Sequence, residues 1–494
     1  MSYELTILPA SIFTFLIIFN FFYGYKKFQD IRVNIVNGLL IYQGLGQVTF
    51  PAIYGLVEGY RWESYYAVSP VDLFIVYCIE LVFVLCWIIG FYCFTNFFRH
   101  AQQRSIIPAI ADKKVDKILI FIIIFLLYGM LITHGKGLSA FGEMTIYDST
   151  NLGESVTLWP TNVYIPFTLW SILFNTFHFS GMLTSAILIT SPHSSKVEKT
   201  MAFSVLIFMI LLGLTTALRQ FILAEVIMIL IFGLAQHNKK VLIFSLISLV
   251  ALFLFAPLMQ YSYRDLLMQQ ESKNLGFKER LSALLEIKAI ESDINPFLNF
   301  WHAAGERFSD SLFSAGLVKA YLRGDSAGAN PLISAILSPI PRFFWPDKPV
   351  PGSSDGTTAG LATFVVWREA IGTEWGICGS FTPSAHAFWE FGVLGVILSG
   401  IFAGMFARFI LVATKLKGKI GLLIWGLSMN PLAFSVNLWT PQIFIVIFQR
   451  IIPLLIFIKC WLLVSNVLLK LTSNYRIRRG SPRRVRLTKN VRCY

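Results

Sequence analysis

Runs of apolar residues long enough to cross a lipid bilayer recur along the whole chain. A helix needs about 20 predominantly apolar residues to cross a hydrocarbon core about 30 Å thick, and the absence of water there favours helices, which satisfy their own backbone. These runs predict eleven transmembrane helices, near residues 6–25, 35–57, 72–96, 117–134, 161–189, 200–217, 220–237, 241–259, 384–413, 420–438 and 441–468. The sequence therefore predicts an all-α polytopic membrane protein with about eleven transmembrane helices.

Composition agrees with this fold class. Only 14% of the 494 residues are charged and the mean hydropathy is +0.65, whereas an ordinary soluble domain is about 25% charged. The class of ordinary soluble proteins is therefore excluded.

The placement of cations predicts how the chain is oriented. Lys26 and Lys27 follow the first predicted helix and no cation precedes it, so we expect the N-terminus outside and these lysines in the cytoplasm. Residues 469–494 carry nine cations and no acid, which suits a cytoplasmic tail beside an anionic inner leaflet. A nucleic-acid ligand is not needed to explain this tail, and none is expected.

One long hydrophilic insert, residues 260–383, interrupts the short connections. It carries 11 cations and 13 acids, a net charge of −2, while the remainder of the chain carries +16. Predicted span eight begins after Lys240 and span nine ends before Lys415; both cationic ends should lie in the cytoplasm, so we expect the insert to face outward. The predicted divisions are eight transmembrane helices in 1–259, the insert in 260–383, three transmembrane helices in 384–468 and the basic tail in 469–494.

A proline-rich segment inside the insert, Ser338–Gly352, contains five prolines. Proline fixes its own φ and disfavours helix at the residue before it, so the segment should be extended and stiff. Arg342 and Lys348 would then lie at fixed positions beside Trp345, a residue type that favours the bilayer interface. This combination suits a lipid-linked anionic substrate, although a proline-rich connector with an interfacial anchor would explain the same residues.

The string IPRFFWPDKP at Ile340–Pro349 resembles the signature of the oligosaccharide repeat-unit polymerases, the O-antigen polymerase (Wzy-type) family. Ala385–Gly395 is similar to the family's segment at the start of the next transmembrane helix, and Leu214–Arg219 resembles the segment that holds its arginine between two spans. Where the family pattern has a Gly-Glu pair, this chain has Ala385 and His386. A carboxylate role at that position therefore does not carry over.

The resemblance implies a GT-C-like glycosyltransferase in the bacterial inner membrane, with the insert as its periplasmic loop. Such an enzyme transfers a growing glycan from undecaprenyl diphosphate to the non-reducing end of a new undecaprenyl-diphosphate-linked repeat unit, building O-antigen lipopolysaccharide or a related surface polysaccharide. Its partners would be the lipid-linked oligosaccharide and membrane lipids, and a chain-length-regulating co-polymerase is compatible with it. No cofactor or metal is expected. A ligase that moves finished glycan to another acceptor, or a transporter of lipid-linked oligosaccharide, is the alternative.

This reaction would need fixed cations, because negative charge develops on the departing diphosphate. Arginine binds phosphate through two hydrogen bonds and stays charged. The candidate diphosphate ligands are Arg219, Arg264, Arg307, Arg342 and Lys348. Arg219 could instead snorkel to the interface, and Arg307 could pair with Glu306 or Asp310. Arg323 and Arg368 are interpreted as ordinary loop cations. Trp301 and Trp345 are candidates for sugar or lipid contacts, although anchoring at the bilayer interface also explains these tryptophans.

The acceptor hydroxyl must also lose a proton to a base. His386 lies four residues before Glu390, so the two share a helix face and the carboxylate could orient the imidazole. Glu306, Asp310 and Glu390 are the rival bases, and a histidine at a helix entrance can also be a purely structural residue. Glu80, a charge inside predicted span three, is expected in a buried pair or a substrate groove.

Overall fold

A computed structural model describes residues 4–28, 31–65, 68–93, 155–158, 163–166, 194–215, 310–337 and 381–416, with isolated positions at 185–186, 188–190, 229, 243–245, 247–248, 365, 368–369, 447, 452 and 456. The helices are α1 (Glu4–Phe28), α2 (Ile31–Gly44), a π-helix (Leu45–Thr49), α3 (Phe50–Tyr65), α4 (Pro70–Cys93), α5 (Lys196–Thr215), α6 (Asp310–Leu322), α7 (Asn330–Leu337) and α8 (Pro383–Leu416). The strands are β1 (Ser155–Leu158) and β2 (Val163–Pro166).

Three of the described helices are long and apolar enough to cross a membrane: α1, α4 and the part of α8 from Pro383 to Phe409. They confirm helices at predicted spans one, three and nine within a few residues, and α5 does so for span six. These helices indicate membrane association. The other predicted spans from the fourth onward lie wholly or mostly outside the described residues, and the total of eleven stays a prediction.

Predicted span two is three consecutive helical segments, Ile31–Tyr65, with the π-helix in the middle. This stretch runs antiparallel to α1, because Asn20 Nδ2 donates to Asn37 Oδ1 at 3.1 Å while Thr14 and Thr49 hydroxyls lie 2.7 Å apart. Polar side chains therefore join the first two spans at two depths.

The predicted start of span five is wrong. Span five was expected from residue 161, but β2 pairs antiparallel with β1, with Val156 opposite Ile165 and Thr157 opposite Tyr164. β-Branched and aromatic residues favour strands, and a short apolar run does not by itself distinguish a strand from a helix. The described part of the chain is thus mostly helical rather than strictly all-α.

Helices α4 and α8 pack together through glycines. Phe83 meets Gly400 and Trp87 meets Gly404, and a Cβ on Gly404 would collide with the Trp87 carbonyl oxygen. Small residues let membrane helices approach this closely. Residue numbers rise in the same direction along both helices, so α4 runs parallel to this part of α8.

Helix α1 is parallel to these two helices. At its last residues, the Tyr23 and Phe28 rings pack on Tyr92 at the end of α4. The buried guanidinium of Arg408 lies 5.0 Å from the Phe28 ring centre and 5.5 Å from that of Phe91, a cation–π arrangement. Spans one, three and nine must run in one direction in the predicted topology, and their parallel packing agrees with that requirement.

Helix α8 breaks near its start, where a continuous helix was expected. Phe391 (φ −136°, ψ 19°) and Gly392 (φ 63°, ψ −148°) leave helical geometry, and the positive φ favours glycine. We call Pro383–Glu390, the part before the break, the half-helix. A Cβ on Gly395 would collide with the Ala387 carbonyl, although eight residues of straight helix would separate them by about 12 Å. The half-helix is therefore folded back beside the following part of α8.

Contacts with α4 lead to the same conclusion. Ser384 bonds to Glu80 and Gly400 meets Phe83. In a straight α8, Ser384 and Gly400 would be about 24 Å apart along the helix axis. Their partners in α4, Glu80 and Phe83, are only about 4.5 Å apart along theirs. Only a folded-back half-helix brings Ser384 to the level of Glu80.

Helix α6 belongs to the predicted insert and packs against both α4 and α8. Its Leu317 and Ala320 are buried and form an apolar core with Ala385 and Trp389 of the half-helix. The described part of the insert thus holds the half-helix in place. The outward location of the insert stays a prediction.

Candidate functional site

His386 and Glu390 lie side by side on the half-helix, as their four-residue spacing predicts. The imidazole is fully buried and its Nδ1 lies 3.8 Å from Glu390 Oε1. This distance exceeds a hydrogen bond but allows electrostatic attraction between the carboxylate and a protonated imidazole. The carboxylate can therefore stabilise a proton gained by the imidazole.

Aromatic rings enclose the imidazole. The Trp389 ring centre lies 5.4 Å from that of His386 in an edge-on arrangement, and the Phe381 ring centre lies at 5.2 Å. Trp389 is buried, whereas Phe381 is only partly buried. Of these two rings, Phe381 is the one that reaches the surface.

The first turn of the half-helix is fixed by hydroxyl groups. Thr382 is its N-cap, since Thr382 Oγ1 accepts from the Ala385 N–H at 3.4 Å, and Pro383 occupies the first helical position, where proline needs no N–H partner. The Thr382 N–H donates to Ser314 Oγ of α6 at 2.8 Å. The N-cap is thereby attached to α6.

A chain of hydroxyls continues from this cap to a carboxylate. Ser314 and Thr382 hydroxyl oxygens lie 3.1 Å apart and those of Thr382 and Ser384 2.9 Å apart, and Ser384 Oγ donates to Glu80 Oε1. A hydroxyl has one proton; since that of Ser384 goes to Glu80, the chain donates in the order Ser314, Thr382, Ser384, Glu80. All four side chains in it are buried.

Glu80 lies halfway along α4. It follows Pro70 by ten residues in a helix of 24, about 15 Å along the axis. His386 was expected at the outer mouth of a straight span nine, yet the fold-back puts the neighbouring Ser384 level with the middle of α4. The half-helix lies deeper among the helices than its sequence position indicates.

The last turn of the half-helix is fixed by the segment after α6. Trp389 Nε1 donates to the Asp325 carbonyl at 2.8 Å, and the Ala327 N–H donates to the Trp389 carbonyl at 3.2 Å. Gly392, at the break, lies against the Tyr321 hydroxyl. The half-helix is therefore held at both of its ends.

Charged groups fasten this segment to residues further along the insert. Arg368 bonds to Asp325 at 2.7 Å and to Glu369 at 3.0 Å, and Arg323 bonds to Glu369 at 2.5 Å. The hydrogen bond to Asp325 is the main cause that raises the pKa of Arg368 above its ordinary value. Arg323 and Arg368, interpreted from sequence as ordinary loop cations, are members of one ion-pair network.

Asp310, a rival base, is the first residue of α6, and its side chain is outside the described part. The remaining predicted site residues also lie outside the described residues: Arg219, Arg264, Trp301, Glu306, Arg307, Arg342, Trp345 and Lys348. Their roles stay predictions. Within the described ranges, no three His, Cys, Asp or Glu side chains are placed to hold a metal ion.

Sequence reasoning missed most of the hydroxyl chain. The pair Thr382–Pro383 is a recognisable helix-start signal and could have located the cap. Glu80 was noted as an intramembrane charge, but its partner Ser384 is 304 residues away, and no local pattern connects the two. Ser314 has no distinguishing signal.

The chain matches a protein-family model. Residues 156–415 match DUF8712, a domain of unknown function, and these make up more than half of the chain. The protein belongs to the DUF8712 family. The DUF8712 match includes every predicted site residue from Arg219 to Glu390 but not Glu80. No curated protein and no solved structure matches the chain.

Proposed function

We propose that this DUF8712 protein is a membrane glycosyltransferase that polymerises lipid-linked oligosaccharide repeat units into a surface polysaccharide. The proposal joins the IPRFFWPDKP resemblance to one structural observation, the buried His386–Glu390 pair at 3.8 Å. The location is the bacterial inner membrane, with the insert in the periplasm and the C-terminal tail in the cytoplasm.

The pair suits the proton transfer that this reaction requires. The acceptor hydroxyl oxygen of a new repeat unit attacks the anomeric carbon of the growing glycan, and the bond from that carbon to the diphosphate oxygen breaks. Undecaprenyl diphosphate leaves with the electron pair of that bond, and His386 takes the hydroxyl proton. Glu390 stabilises the resulting imidazolium.

Substrate must reach an imidazole that is fully buried. Phe381 is the partly exposed ring against it, so rotation of this side chain would uncover the imidazole without displacing the half-helix. Exclusion of water from the closed site would also protect a bound glycosyl donor from hydrolysis.

The departing diphosphate would be stabilised by the predicted cations. We expect Arg342→Ala to lower the rate of polymerisation at least about tenfold, since a hydrogen bond to a charged group contributes about 1.5–3 kcal/mol. Arg342→Lys should recover only part of the rate, because lysine cannot form two parallel bonds to phosphate. Lys26→Ala, which removes an exposed cation at the end of α1, is the control and should leave the rate unchanged.

Deletion of the gene tests the function. We expect the deletion strain to make surface glycan capped with a single repeat unit, visible by gel electrophoresis. Lipid-linked repeat units extracted from that strain should then be lengthened by the purified protein.

The alternatives give different results. If the deletion strain makes no surface glycan capped with even a single repeat unit, the protein is a ligase or a transporter. A purified protein that passes glycan to another acceptor, without lengthening it on undecaprenyl diphosphate, would also contradict the polymerase proposal.

A further inference from the structure

Glu80 is a costly residue for its position. It is fully buried halfway along α4, a helix apolar enough to cross a membrane, and a carboxylate there loses its hydration. An apolar residue would fill the space at lower cost, since replacing buried polar groups by apolar ones of similar shape is often neutral or stabilising. Its hydrogen bond from Ser384 indicates what the carboxylate contributes.

Glu80 is the final acceptor of the hydroxyl chain that fixes the half-helix. Ser384 donates to it and precedes His386 by two residues, and Thr382, next in the chain, caps the half-helix. The rotation and depth of an eight-residue helix follow from what holds its ends. The half-helix is held by this chain at one end and, at the other, by the hydrogen bond from Trp389 Nε1 to the Asp325 carbonyl.

We propose that Glu80 is a positioning residue for His386: through Ser384 it sets the depth and rotation of the half-helix, and so the direction in which the imidazole meets the acceptor hydroxyl. The inference rests on the role proposed above for His386. It also assigns a part in the site to a residue outside the DUF8712 match.

The position of a reacting group has a large effect on the reaction rate, since a displacement of about 1 Å can lower that rate about 100-fold. Glu80→Ala leaves Ser384 without this acceptor and should lower kcat per folded molecule 10- to 100-fold, with KM changed less than about threefold because the predicted diphosphate ligands are elsewhere. Glu80→Gln keeps an acceptor oxygen and should restore most of the lost turnover. Leu85→Ala, at an exposed position of the same helix, is the matched control.

A double-mutant cycle tests whether Glu80 acts through Ser384. Both single alanine variants interrupt the same chain, so Glu80→Ala with Ser384→Ala should be no slower than the slower single variant. Losses that multiply, or a Glu80→Ala turnover within about twofold of the unaltered protein, would overturn the proposal.

A second measurement does not depend on activity. In a cysteine-free background, His386→Cys should react slowly with N-ethylmaleimide because the site is buried, and adding Glu80→Ala should raise that rate at least about tenfold, whereas adding Leu85→Ala should not. An unchanged rate would overturn the positioning role even in a protein that shows no polymerisation. If the unaltered protein shows no polymerisation, that result contradicts the proposed function, whereas an increased labelling rate would still support the link between Glu80 and the half-helix.

Discussion

At the scale of single residues, the site depends on how an imidazole is oriented. His386 and Glu390 are four residues apart, so helix periodicity alone predicts that they meet, and they do. Periodicity cannot predict the aromatic enclosure, because Phe381 precedes the half-helix and the bond from Trp389 goes to a segment more than 60 residues earlier. The pair could be predicted from the sequence, but its surroundings could not.

Removal of the base should separate chemistry from binding. We expect His386→Gln to bind lipid-linked oligosaccharide with near-native affinity and to turn over at least about 100-fold more slowly, the usual effect of losing a general base. Glu390→Gln keeps the imidazole but loses the stabilising charge, and should be intermediate. Single-turnover kinetics on purified protein measure the binding affinity and the rate of the chemical step for each variant. Normal turnover of His386→Gln would transfer the role of base to Glu306, Asp310 or Glu390.

Gly392 provides a test of the break in α8. Alanine there would be strained at φ 63° and would also collide with Tyr321, so Gly392→Ala should lower the free energy of unfolding by about 1–3 kcal/mol. Gly328→Ala is the matched control, because Gly328 has φ 57° but open space around it, and should cost less. Thermal unfolding in detergent measures which of the two variants is less stable. Equal losses of stability would mean that the Tyr321 contact is unimportant.

At the scale of elements, apolar length predicts the spanning helices well and the shorter elements poorly. α1 and α4 begin and end within three residues of the predicted spans, because about 20 apolar residues is a distinctive signal. α6 has only 13 residues, too few to span, so its burial depends on partners that a local pattern does not reveal. β2 likewise is defined by its pairing with β1.

The α4–α8 contact predicts an asymmetry between two identical substitutions. Gly404→Ala would press a methyl group onto the Trp87 backbone, whereas a Cβ on Gly38 would lie at an ordinary 3.9 Å from Phe21. Overpacking costs about 1–3 kcal/mol, so Gly404→Ala should lower the melting temperature and Gly38→Ala should not. Similar melting curves for both variants would show that α4 and α8 are not packed this closely.

At the scale of the whole molecule, the sequence and the structure constrain topology in different ways. The distribution of cations predicts which face is cytoplasmic, whereas the packing of α1, α4 and α8 establishes only that the three run parallel. The proposed mechanism needs both, since the half-helix must open toward the compartment that holds the lipid-linked substrate. The hydroxyl chain bonds Ser384 of the half-helix to Glu80 of α4, so the orientation of α4 in the membrane also determines which compartment the half-helix faces.

Cysteine labelling in whole cells tests the orientation at two exposed positions. Ser326, in the segment that binds Trp389, should lie outside, and Val197, in the first turn of α5 beside Lys196 and Lys199, should be cytoplasmic. In a cysteine-free background, Ser326→Cys should therefore react with an impermeant maleimide in intact cells, while Val197→Cys should react only after the membrane is permeabilised. Ser354→Cys should behave like the first and Ser473→Cys, in the basic tail, like the second. The reverse pattern would place the half-helix on the cytoplasmic side, where a periplasmic polymerase could not use His386.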